Sequence, residues 1–287
     1  MSNYYLYIIG QILCCSLPLK AAYRMAEMIS DVHYRFSKID RSAVRANLQV
    51  VLGTPDVSPL MVREVFRNFG RYLVDFLTAT KRLNQDFLKT NVRVSGIEHL
   101  HSVLAGNKGG IAVSAHVGNW EMAGAILSLL GYPPLVVALT HQDPRVNAFF
   151  NRQRKVFGMT IIPPNIAIRR CLGHLRSNRM VAILAERDFG NHGIVMNFLG
   201  RPTMIPRGAA MFAFKTGAPL IPVFLVREED HIFHISIGKP IVPPPPGQGP
   251  IADEQVKALM AQYLGLIEEQ IRRYPTQWLM FRQFWIS

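Results

Sequence analysis

From residue 92 to residue 237 the chain alternates short apolar runs with helix-length segments, and this alternation limits its fold more than any other feature. Apolar runs fall at 92–94, 111–115, 135–139, 160–162 and 181–185, with helix-length stretches between the later ones. Further strand-like runs follow at 194–198, 220–226 and 232–237. Strands that alternate with helices form a sheet covered on both faces, because the crossover helices lie against it. The expectation is therefore an α/β fold with a central sheet flanked by helices.

Both ends of the chain read as helical additions. Ser58-Pro59 is a cap followed by a first-turn proline, and Val62, Val65, Phe66, Phe69, Leu73, Phe76 and Leu77 then recur at helical spacing. A last helix runs over 253–273, with Leu259, Tyr263, Leu266, Ile267 and Ile271 on one side. The Pro-Pro-Pro-Pro-Gly-Gln-Gly-Pro tract at 243–250 reads as a surface connector before it.

The first residues form a mostly apolar stretch over 4–19, interrupted by Gln11, Ser16 and Pro18 and closed by Lys20 and Arg24. A membrane span needs roughly 20 apolar residues, so this stretch is marginal as one. Secretory signals carry their positive charges before the apolar run, whereas here they follow it. Three readings stay open: a span, a helix lying in the interface, and a buried amphipathic helix. Lys20, Arg24, Arg35, Lys38, Arg41 and Arg45 all lie downstream, which by the positive-inside tendency keeps the bulk of the chain cytoplasmic. The expected organisation is a membrane-anchoring or interfacial helix over 1–30 and a single domain over 31–287.

The charge balance, 32 Lys+Arg against 19 Asp+Glu, points to an anionic partner. No long basic run, zinc-finger spacing or RRM-like aromatic motif supports nucleic acid as that partner, and none is expected. Cys14, Cys15 and Cys171 have neither disulfide-framework nor metal-ligand spacing, which suits a reducing compartment. His141, His174, His192, His231 and His234 likewise lack metal-ligand spacing, so no metal site is expected.

The chemistry concentrates in Ser114-Ala-His-Val-Gly-Asn-Trp-Glu121. The run 111–115 delivers His116 to the C-terminal end of a buried strand, where open α/β sheets place their ligands. Gly118 and Asn119 then start a helix, with Asn119 as its cap. His116 and Glu121 are five apart, so a continuous helix does not bring them together. A strand-turn-helix corner does allow a first-turn carboxylate to reach back, fix the tautomer and leave the other ring nitrogen as a base. The exposed amides of the helix start would suit a phosphate or a developing oxyanion. The plainer reading is a surface corner with an incidental histidine.

This segment resembles the histidine motif of the bacterial lipid A late acyltransferases, an H-x4-D/E signature shared more loosely with glycerolipid acyltransferases. Five further blocks agree in order with that family: Val44-Arg-Ala-Asn-Leu48, Arg154-Lys-Val-Phe-Gly158, Ala185-Glu-Arg-Asp-Phe-Gly190, Phe198-Leu-Gly-Arg-Pro202 with the 206–224 segment, and Tyr274-Pro-Thr-Gln-Trp278. The likeness covers roughly residues 35 to 285. It implies a glycerolipid-acyltransferase-like mixed sheet with an N-terminal membrane-associating helix. It also implies transfer of a fatty acyl group from acyl-carrier protein or acyl-CoA to a hydroxyl of a membrane glycolipid, at the cytoplasmic face of a bacterial inner membrane. His116 would be the general base and Glu121 its orienting partner, with no covalent acyl-enzyme and no cofactor beyond the thioester donor. An apolar groove lined by phenylalanines and methionines is expected beside His116 for the acyl chain.

Asn119, Arg154, Glu186, Arg187, Asp188 and Arg207 make up the expected substrate-binding set. Arg154 offers bidentate geometry to a phosphate, or is a solvated helix residue beside Arg152 and Lys155. Arg187 and Asp188 lie just past a buried strand, as a site pair or a structural ion pair. Arg207 opposes the dipole of the helix it precedes, which suits a nearby anion or simple tolerance at an exposed turn. Glu186 stands where the family usually has an aspartate, and the C-terminus lacks the more basic ending common in the family. Those departures leave the acceptor open: a lipid A precursor, a phosphatidylinositol mannoside or a lysophospholipid. A non-catalytic lipid-binding protein of the same fold is the rival from another class.

Overall fold

The computed structural model describes residues 4–188, 193–228, 231–245 and 250–285. Phe189, Gly190, His192 and part of the proline tract lie outside the described residues. The chain opens with five helices: α1 (Tyr4–Ser16), α2 (Leu19–Phe36), α3 (Lys38–Leu52), α4 (Pro59–Arg82) and α5 (Gln85–Asn91). Pro18 separates α1 from α2, and Ser37, Ser58 and Asn84 cap the next three by accepting from Asp40, Leu60 and Phe87 amides. Residue 30, the expected end of the anchoring segment, falls inside α2, where Ser30 is buried.

Helix α4 is the hub of this half. It meets α2 at Gly70, where a Cβ would lie 2.4 Å from Ser30 Oγ and 2.9 Å from Ala26 O. Arg63, Arg67 and Arg71 recur every four residues along α4 and face the acids of α2. Arg63 Nε and Arg67 Nε donate to Asp31 Oδ1 at 2.7 and 2.9 Å, and Arg71 Nε donates to Glu27 Oε1 at 2.7 Å. Hydrogen bonds from the two guanidiniums hold the Asp31 carboxyl well below the usual carboxylate range. The acids of α2 thus turn inward, while Met28, Ile29, Val32 and Phe36 stay exposed. Tyr5, Leu6, Ile9, Ile12 and Leu13 of α1 are exposed as well. Among the described residues no helix is long and apolar enough to cross a membrane. The 13 residues of α1 extend only about 20 Å at the α-helical rise.

The second half alternates as expected. It runs β1 (Val92–Ser95), α6 (Ile97–Ala105), β2 (Gly110–Ser114), α7 (Trp120–Leu129), β3 (Leu135–Val137), α8 (Pro144–Lys155), β4 (Thr160–Ile162), α9 (Ala167–Arg176) and β5 (Met180–Leu184). It continues with β6 (Ile194–Phe198), β7 (Arg201–Ile205), α10 (Gly208–Thr216), β8 (Leu220–Arg227), β9 (Phe233–Ile237) and α11 (Asp253–Arg273). Seven strands form one mixed sheet in the order β1-β9-β8-β2-β5-β3-β4, parallel except for the β8–β9 pair. Ile111, Val113 and Val181 face the core shared with α10 and α11. Ala112 and Met180 belong to the core shared with α6 and α7.

The run 194–198 is a strand, but it stands outside this sheet. It pairs with β7 in a separate antiparallel hairpin turned by Leu199 and Gly200, both left-handed at φ 53° and 84°. Two left-handed central residues match the twist of a two-residue hairpin. Leu199 tolerates that backbone while its side chain is buried and its N–H donates to Glu268 Oε1 at 2.8 Å. β7 carries Arg201 and Pro202, which hid it from the apolar pattern.

Candidate active site

His116 sits two residues past the end of β2, and Glu186 sits two residues past the end of its parallel neighbour β5. The register pairs Ser114 with Leu184, so the same register carried on sets residue 116 opposite residue 186. The ladder continues with Ala185 N–H donating to Ser114 O at 2.8 Å. The next donor, His116 N–H, is taken by Glu186 Oε1 at 2.7 Å, and the same oxygen meets His116 Nδ1 at 2.6 Å. Glu186 is 0% exposed. Burial alone would raise its carboxyl, but the charge of the His116 ring and the bonds His116 donates outweigh it, and it sits below the usual range. A carboxylate only accepts, so the Nδ1 contact requires hydrogen on Nδ1, and in the neutral imidazole Nε2 is then the nitrogen that carries the lone pair. The His116 side chain keeps 15% exposure, and its ring lies edge-on to Trp120 at 4.8 Å between centroids.

The corner that follows is held by the C-terminal segment. Leu279 N–H donates to His116 O, Gly118 N–H to Gln277 O and Asn119 N–H to Leu225 O, each at 2.9 Å. Gln277 also uses its amide on the Arg227 backbone, accepting from N at 3.0 Å and donating to O at 2.8 Å. Gly118 has φ +65°, and a Cβ there would lie 2.0 Å from Leu225 O, so only glycine fits the turn. Asn47, in the 44–48 block, donates to the carbonyls of Met280 and Arg282 at 3.1 and 2.9 Å. Two blocks distant in sequence therefore brace the histidine corner. These bonds also commit the amides of Gly118 and Asn119, and Asn119 Oδ1 takes that of Met122 at 3.1 Å. That removes them from the anion-holding role expected of the helix start.

The expected pairing of His116 with Glu121 is not the one the fold forms. Glu121 lies in the first turn of α7 and faces α8, where Arg154 takes both of its oxygens: Nε to Oε2 at 2.9 Å and Nη2 to Oε1 at 2.6 Å. Helix α7 starts only at Trp120, after a corner that turns the chain, so a residue one position into the helix projects away from the imidazole. Arg154 is buried, with Nη1 also 3.3 Å from Asn151 Oδ1, so it is neither a solvated helix residue nor open to a phosphate on that edge.

Asn119 is buried between its cap and a charged cluster. Its Nδ2 lies 3.5 Å from Asp75 Oδ2, and Asp75 also binds Arg227 and the Tyr23 hydroxyl, with Arg82 3.6 Å away. Arg227 stacks over the Tyr23 and Phe233 rings at 4.7 and 4.6 Å. Burial and the Asp75 charge push the Tyr23 phenol up to about 12. This cluster joins α2 and α4 to the sheet behind the corner. The sequence pattern missed it, because Asp75 lies inside an apolar helix face and Arg227 at a strand end with no spacing signal.

The remaining expected residues scatter. Asp188 Oδ2 accepts from Gly193 N–H at 3.0 Å. Arg207 pairs on the surface with Asp253, 3.5 Å away at the start of α11. Arg187 follows Glu186 and lines a cleft of about 960 Å³ with Leu279, Phe281, Arg282 and Lys38. Those walls are cationic as much as apolar.

The family model described as bacterial lipid A biosynthesis acyltransferase matches residues 1–287. The chain belongs to this family. It is an acyltransferase by that membership and by its named relatives. It is 28% identical over 251 residues to a phosphatidylinositol mannoside acyltransferase of Mycolicibacterium smegmatis, covering 85% of this chain and 79% of that one. A protein of the same description from Mycobacterium tuberculosis is 32% identical over 187 residues, 62% of this chain and 59% of that one. The lipid A biosynthesis palmitoleoyltransferase of Escherichia coli is 24% identical over 253 residues, 85% of this chain and 78% of that one.

Proposed function

We propose that this acyltransferase moves a fatty acyl group from a thioester to a hydroxyl of a membrane glycolipid. His116 is the base and Glu186 the carboxylate that holds it. The observation that carries this reading is the 2.6 Å contact between His116 Nδ1 and buried Glu186, which leaves Nε2 free at the mouth of the strand. As the acceptor oxygen bonds to the carbonyl carbon, Nε2 takes the hydroxyl proton. The C–S bond then breaks, and the imidazolium returns that proton to the departing thiolate. Glu186 stabilises the imidazolium in between and keeps the ring oriented. The thioester is already activated, so no covalent acyl-enzyme is called for.

The relatives act on two kinds of glycolipid by name, and the acceptor of this chain falls in that class under the present reading. Purified protein supplied with acyl-carrier-protein and acyl-CoA thioesters, over lipid A precursor, phosphatidylinositol mannoside and lysophospholipid acceptors, tests it. Mass spectrometry should show one acceptor gaining one acyl chain. Binding to lipid with no transfer from any thioester would favour the non-catalytic lipid-binding reading instead.

The exposed apolar faces of α1 and α2 support a place at a membrane surface, and the basic residues that follow α1 favour the cytoplasmic side of a bacterial inner membrane. Apolar side chains outward and ion pairs inward invert the usual order of a water-facing helix, and suit one lying in the interface. Each such side chain entering lipid contributes about 1.5–3 kcal/mol. The Leu6→Glu/Ile9→Glu variant is therefore expected to bind vesicles at least about tenfold more weakly, with its melting temperature unchanged, in a flotation assay. Undiminished flotation would remove α1 from the membrane contact.

A further inference from the structure

The cleft beside Glu186 carries three cations on its walls, Lys38, Arg187 and Arg282, with Ile39, Leu279 and Phe281 between them. Asp40 shares the wall, but its carboxylate is turned to Ser37 Oγ and His33 Nε2, both at 2.8 Å. Burial, and then the like charge of Arg282, brings the Arg187 guanidinium down to about 10, against the pull of the neighbouring Glu186 carboxylate. Cations brought onto one wall repel, and an anion between them relieves the repulsion. Two planar guanidiniums and an ammonium also offer the donor geometry that phosphate oxygens accept.

The position of the cleft says which phosphate. On its inner side it touches the catalytic corner twice, through Leu279, which holds His116 O, and through Arg187, which follows Glu186. On its outer side Ile39 is 83% exposed and continues the apolar face of α2 through Phe36, 75% exposed. A lipid lying with its chains against that face would bring its head group to the cleft and its hydroxyls toward His116. We propose that this cleft binds a phosphate on the head group of the lipid acceptor, clamped by Lys38, Arg187 and Arg282. The proposal rests on the reading of the chain as a lipid acyltransferase, but its test is a binding measurement that needs no turnover.

The full chain is titrated with phosphatidylcholine vesicles, with and without phosphatidic acid, at one fixed ionic strength. Two variants lose equal charge: Lys38→Gln/Arg282→Gln in the cleft, and Lys108→Gln/Lys215→Gln away from it. All four residues are exposed, so both proteins should fold. The cleft variant is expected to lose about tenfold in affinity for the phosphatidic acid vesicles and nothing for phosphatidylcholine alone, while the Lys108/Lys215 variant stays within about twofold of wild type. Equal losses in both variants would mean that bulk charge does the binding, and the proposal fails. It fails too if the cleft variant binds like wild type. A third arm adds free coenzyme A: displacement of the wild-type protein from the vesicles would assign the clamp to the phosphates of the donor and overturn the proposal.

Discussion

Glutamine in place of Glu186 is expected to slow acyl transfer by about 10²–10⁴-fold, close to the loss expected for His116→Ala. The reason lies in the geometry of one oxygen. Glu186 Oε1 receives both His116 N–H and His116 Nδ1–H. A glutamine carbonyl oxygen in the same place keeps those bonds but brings no negative charge to the imidazolium. Its amide nitrogen then takes the place of Oε2, which is buried and has no hydrogen-bond partner among the described residues, and two donors are left unsatisfied. The flipped rotamer is worse, since it sets donor against donor at the backbone amide. Single-turnover rates with one thioester and one acceptor measure the loss, and a melting curve shows whether the fold survives. A Glu186→Gln protein that turns over at the wild-type rate would mean the carboxylate does not serve the histidine.

The contrast with Glu121 shows what the sequence carries and what it does not. Strand runs at 111–115 and 181–185 follow from composition alone, and the structure places β2 and β5 within a residue of them. The helix over 58–80 and the one over 253–273 follow from their apolar spacing. Neighbourhood in the sheet does not follow, because register between strands 70 residues apart has no local signal. Yet a trace was present: Ser-Ala-His at 114–116 and Leu-Ala-Glu at 184–186 each set a polar residue two positions past a buried strand. Parallel strands in that register bring the two together. Sequence proximity favoured Glu121 instead, and its partner Arg154 lies 33 residues away on a helix whose orientation only packing decides. Asp75 was hidden for a related reason, since a buried acid inside an apolar stripe gains its meaning from Arg227 and Tyr23, supplied by β8 and α2.

Alanine in place of Glu121 is expected to act chiefly on stability, with a loss of about 3–5 kcal/mol. Glu121 and Arg154 keep only 11% and 10% side-chain exposure, so removing the acid strands a guanidinium away from water. Burial works against the Arg154 charge, and the hydrogen bonds and charge of Glu121 more than offset it. For a chain of this size the loss corresponds to a fall in melting temperature on the order of 10 °C. The double variant Glu121→Leu/Arg154→Met removes both charges and fills the space, and it should recover most of that fall. Calorimetry on the single and double variants measures the coupling directly. A carboxylate that serves the base would behave differently: its loss would slow transfer, and taking away Arg154 as well would restore nothing. Recovery in the double variant, set beside a slow but stable Glu186→Gln, would assign the two carboxylates different work: one holds α7 against α8, and the other holds the base.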